Sequence, residues 1–168
     1  FVGSTWTPYT NGDVQWVEVY SPQRVQGAPM RVADIVHFEQ SIDLAGGGGA
    51  ASVSTAAGAC SPDVACTSGD ATLDAAIAER RKSVARMSFQ SGSGSFLCSG
   101  TLINSASQQN FFMTANHCIS TAAEAASITF RWFYEAATCG GSAANLVPES
   151  TSTSGGAQLV FTNQFVDS

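Results

Sequence analysis

Residues 96–118 read FLCSGTLINSASQQNFFMTANHC. Two apolar runs, Phe96 to Ile103 and Asn110 to Thr114, flank a stretch of Asn, Ser and Gln that suits a turn. Both runs are short and rich in aromatic or β-branched residues, the composition of strands rather than helices. Working outward, Val84 to Phe89, Ile128 to Tyr134 and Gln158 to Phe165 carry the same signal between Gly, Ser and Asn turns. In Ile128, Phe130, Trp132 and Tyr134, alternate side chains share one face, opposite Thr129, Arg131 and Phe133. Short strands at this spacing predict a mostly β chain, a barrel or a sandwich. Thr72 to Lys82 is the one helical stretch, with Thr72 as N-cap, Leu73, Ala76 and Ile77 as its apolar side, and Arg80, Arg81 and Lys82 at its C-terminal end. That basic cluster reads as helix-terminal charge, with a processing site as the alternative. Residues 140–157 read as a polar loop.

Upstream, Val14 to Tyr20 and Met30 to Phe38 predict two further strands, and the second contains His37, read as a packed strand residue. Gly46-Gly47-Gly48-Gly49 and the Ala, Ser, Val and Thr residues after it form a linker. The chain therefore divides into a β-rich extension (1–45), a linker (46–57) and the body of the protein (58–168).

The composition narrows the function. Among 168 residues, 7 are basic and 13 acidic, a net charge of −6. Seven scattered cations make no face for a phosphate backbone, so nucleic acid is not an expected partner. No apolar run approaches the ~20 residues of a membrane span. Charged residues are 12% of the chain, against a usual ~25%. The chain opens on Phe1, which points to a removed signal peptide or pro-segment. The five cysteines, Cys60, Cys66, Cys98, Cys118 and Cys139, lack CxxC spacing, so disulfides in an exported protein are expected rather than a metal site. Five is odd: one is free, pairs with another chain, or pairs with sequence outside these residues. His117, between a strand and Cys118, is the candidate general base, because such a group needs its ring anchored within reach of a nucleophile.

Cys98-Ser99-Gly100-Thr101-Leu102-Ile103 followed by Thr114-Ala115-Asn116-His117-Cys118 resembles the catalytic-histidine region of trypsin-like (chymotrypsin-fold) serine endopeptidases. The usual trypsin form is Thr-Ala-Ala-His-Cys, so Asn116 is a departure. More narrowly, Gly58-Ala59-Cys60, Asp63-Val64-Ala65-Cys66 and Ile128 to Tyr134 running on to Cys139 resemble the bacterial lysyl endopeptidase branch. The resemblance covers about half the chain. It implies the first barrel of a double β-barrel, a secreted bacterial peptidase acting on proteins or peptides, and no metal or organic cofactor. It also implies the pairs Cys98–Cys118 and Cys66–Cys139, with Cys60 bonded to a distant cysteine in the remainder of the protease. His117 is then the catalytic base, and Asp167, 50 residues further on, the carboxylate that orients it. Asp63, the rival carboxylate, reads as a local turn residue.

No Gly-Asp-Ser-Gly-like turn occurs in the chain, and Ser93 and Ser99 read as turn residues. The nucleophilic serine is therefore expected outside these residues, and this chain alone is expected to be inactive. The alternative is a non-catalytic structural or adhesive extracellular β-module derived from the same family.

Overall fold

The computed structural model describes residues 5–7, 14–23, 26–27, 30–33, 35, 63–141 and 146–166. His37, the Gly46–Gly49 run, Cys60 and Asp167 lie outside the described residues.

Five antiparallel strands form one sheet in the order β3-β2-β1-β4-β5. β1 (Val84–Ser91) and β2 (Gly94–Ile103) make a hairpin paired from Val84–Thr101 to Ser91–Gly94. Its two-residue loop takes Gly92 at φ +58°, a left-handed conformation that glycine adopts without the steric penalty of a Cβ. Ser93 thus sits in a turn and Ser99 in β2. β3 (Phe111–Met113) pairs with β2, β4 (Thr129–Trp132) with the other side of β1, and β5 (Thr151–Thr153) with β4.

The core lies on one face of β1, where Ala85, Met87 and Phe89 are buried at every second position. Ile128, Phe130, Cys118, Ile119 and Ala125 join them, with Phe112, Trp132 and Leu159 packed alongside. Phe112 meets Phe130 edge-on at 4.9 Å between centroids, and Phe130 stacks on Trp132 at 5.8 Å. Gly100 permits this arrangement. A Cβ there would lie 2.4 Å from the Phe112 ring and 2.5 Å from the Met113 carbonyl oxygen, so any larger residue would push β3 off β2.

Several local expectations change. The N-cap of α1 (Ala71–Arg80) is Asp70, whose carboxylate accepts from the Thr72 and Leu73 amides at 2.8 and 3.2 Å, not Thr72. α1 buries none of its residues. It is held at the periphery by the Cys66–Cys139 disulfide just ahead of it and by the Arg81–Glu135 ion pair just after it. A second helix, α2 (Ala122–Ala126), follows Cys118, and a strand, β5, stands inside the expected polar loop. β4 ends at Trp132 because Phe133 turns to φ +51°. The expected strand over 158–165 is irregular backbone followed by a 3-10 turn at Gln164–Val166. Val14 to Tyr20 is likewise not a strand. It has no strand partner among the described residues and lies in solvent, Trp16 being 92% exposed, as does the described part of Met30 to Phe38. An unpaired strand leaves a whole row of backbone groups without partners and does not persist alone.

Met87 is fully buried at the centre of the sheet. Met87→Ala is expected to lower the unfolding free energy by ~2–5 kcal/mol, read from urea denaturation. A loss below ~1 kcal/mol would mean that the core lies elsewhere.

Candidate active site

The site grows from the end of β3. Thr114 leaves the strand with its hydroxyl bonded to the Ser99 carbonyl at 2.8 Å, which ties the exit point to β2. The chain then makes one helical turn, in which the Cys118 and Ile119 amides donate to the Ala115 carbonyl at 3.1 and 3.2 Å. Cys118 and Ile119 are buried in the core, so the turn is anchored at its far end by apolar packing. The Cys98–Cys118 disulfide, with its Cα atoms 6.2 Å apart, joins that end to β2. Between these anchors His117 is exposed. A buried turn with one outward imidazole is an arrangement suited to proton transfer at a surface cleft.

His117 stands on the rim of an open hollow of about 360 Å³. Phe89, Phe96, Leu97 and the disulfide supply its apolar wall, and Glu124 closes it on the α2 side. Phe96 and Leu97 are 51% and 44% exposed, an apolar surface beside a polar group.

Glu124 is fixed by reciprocal bonds. Its carboxylate accepts from the Ser91 hydroxyl at 2.6 Å and from the Ser120 and Thr121 amides at 2.9 and 2.8 Å. The Thr121 hydroxyl in turn accepts from the Glu124 amide at 3.2 Å, completing a capping box at the start of α2. These donors, the Ser91 hydroxyl foremost, favour the ionised carboxyl and bring its pKa down to about 2. Ser127, at the other end of α2, accepts from the Gln90 amide at 2.9 Å. Both ends of this short helix are thereby fastened to the end of β1.

The expected site residues separate into three groups. His117 is at the hollow, and Cys98–Cys118 and Cys66–Cys139 are bonded. Asp167 and Cys60 lie outside the described residues. Asp63 makes a local turn, accepting from the Ala65 amide through its side chain at 3.0 Å and from the Cys66 amide through its carbonyl at 2.8 Å. The Cys98 and Cys118 sulfurs and a His117 nitrogen lie within 4.8 Å of one another, but the two sulfurs are spent in the disulfide and give a metal no thiolate. Two residues of the site, Glu124 and Thr162, were not read from the sequence, and Asn116 was read only as a departure from the usual motif. Glu124 carried a signal, the Thr121-x-x-Glu124 pattern of a capping box; the pairing of Asn116 with Thr162, 46 residues away, carried none.

Residues 54–168 match the family described as lysyl endopeptidase, C-terminal domain. A lysyl endopeptidase of Pseudomonas aeruginosa (strain PAO1) is 34% identical over 166 residues, covering 92% of this chain and 34% of that protein. The chain thus spans about a third of that relative's length. No solved structure matches the chain.

Two outcomes are expected. Removing the local bridge with Cys98→Ala/Cys118→Ala should cost ~2–5 kcal/mol in chemical denaturation while leaving Cys66–Cys139 formed; an unchanged midpoint would contradict the anchoring role. Glu124 has its folded pKa, about 2, below its ordinary value of 4.5, so its stabilising contribution is complete above pH ~5 and drains away as pH falls towards 2. The stability margin of the natural protein over Glu124→Gln should therefore shrink through that window. A margin independent of pH would show that the carboxylate is not held by these donors.

Proposed function

As the chain belongs to the lysyl endopeptidase family, we propose that it carries the general-base part of a secreted serine endopeptidase. The observation that bears most on this is the position of His117, exposed on the rim of the hollow while the disulfide and the core immobilise the residues beside it.

In this reading Nε2 of His117 takes the proton from a serine hydroxyl as its oxygen attacks the scissile carbonyl, then returns it to the departing amine. Asp167 accepts a hydrogen bond from Nδ1, selects the tautomer in which Nε2 is the acceptor, and stabilises the imidazolium formed on proton transfer. The serine lies outside this chain, which holds no Gly-Asp-Ser-Gly-like turn. It belongs to a second β-barrel that packs on this sheet, and Cys60 bonds to a cysteine of that remainder. The substrates are proteins or peptides. The name of the Pseudomonas relative points to lysyl bonds as the ones cut.

In the full-length protein, His117→Ala should lower kcat by several orders of magnitude with the fold intact by circular dichroism, because the serine loses its base. Undiminished peptidase activity in that variant would end the proposal.

A further inference from the structure

We infer that Asn116 is a positioning residue, whose amide moors the segment leading to Asp167 against the turn that carries His117. The inference rests on the reading of His117 as base and Asp167 as its carboxylate.

The return path of the chain supports it. After β5, Gly155 and Gly156 turn with φ +103° and +74°, and the Gly156 amide donates to the Ile128 carbonyl at 3.1 Å. A Cβ on Gly156 would lie 2.1 Å from the Ala126 carbonyl oxygen, so the backbone comes in as close as α2 allows. The Ala157 amide donates to the Ala125 carbonyl at 2.8 Å, and Leu159 packs against the core. Beyond it the chain moves into solvent, with Val160 and Phe161 72% and 76% exposed. At Thr162 it is drawn back, because the Asn116 amide nitrogen donates to the Thr162 hydroxyl oxygen. The Asn163 side chain then accepts from the Phe165 amide at 2.9 Å and opens the 3-10 turn Gln164–Val166, directly ahead of Asp167 in sequence. A 3-10 turn advances only ~2 Å per residue, so the path from Thr162 to Val166, the residue before Asp167 in sequence, is short.

Asn116 is also the neighbour of His117 in sequence, so one turn carries the base and the mooring. The trypsin form has Ala at this position, which has no side-chain donor. An exposed hydrogen bond between side chains adds little to overall stability. Its effect belongs to geometry, where a displacement of ~1 Å between catalytic groups slows turnover by as much as a hundredfold.

The test uses the full-length protein and measures kcat and KM per mole of folded enzyme on a small lysyl ester. Asn116→Ala and Thr162→Val should each lower kcat about tenfold and leave KM within about twofold. Combining them should do no further damage, since both remove the same bond. Thr162→Ser, which keeps the hydroxyl, should restore kcat. Natural kcat in Asn116→Ala and Thr162→Val, with or without a lowered melting temperature, would overturn the inference while an inactive His117→Ala keeps the base assignment. A fully active His117→Ala would overturn both. Should Asn116→Ala fail to fold, the Thr162→Val and Thr162→Ser pair decides alone.

Discussion

The bridge between Cys98 and Cys118 is the constraint through which the site and the sheet depend on each other. It spans 20 residues and joins the middle of β2 to the turn after β3. These strands pair over only three residues, Thr101–Met113 to Ile103–Phe111, a ladder too short to fix the chain that leaves it. The disulfide extends that connection beyond the last backbone bond and presses Cys118 and Ile119 into the core. What remains between two buried anchors is a turn with little freedom except at the side chain of His117. Rigidity is thus concentrated beside His117, where the proposed role as a base requires a fixed orientation.

Around this clamp the polar groups form a second tier. Glu124 and Ser127 lash α2 to the end of β1 from both of its termini, so five residues of helix, too few to persist alone, become a wall of the hollow. The apolar wall comes from β1 and β2, with Phe89 buried below and Phe96 at the surface, their ring centroids 6.1 Å apart. Acid would loosen the first wall and leave the second in place.

Much of this could be read from the residues themselves. The β-rich runs of β1, β2 and β3 gave those strands to within two residues. Asn-His-Cys after a strand marked the residue that stands at the hollow. The misreadings share a cause: local propensity was taken without a partner. Val14 to Tyr20 has the composition of a strand but no strand partner among the described residues, whereas Thr151 to Thr153 looks like a polar loop and is a strand because β4 offers it an edge. Gln158 to Phe165 is equally rich in β-formers, but Thr162 bonds to Asn116, and Asn163 turns the backbone into a 3-10 helix. Asn116 falls in the histidine motif, but nothing there names Thr162 as its partner, so their meeting could not be seen before the fold was.

The second disulfide has a consequence of another kind. Cys66–Cys139 closes a covalent ring between cysteines 73 positions apart in sequence. That ring contains Lys82, the single lysine of the chain, in the exposed turn between α1 and β1, where its ammonium pairs with Glu79 at 2.7 Å. Cleavage after Lys82 would open the ring without releasing a fragment, since the polypeptide on either side of the cut would remain joined through the sulfurs. A cut at the one lysine of the chain would thus change its connectivity and not its covalent unity.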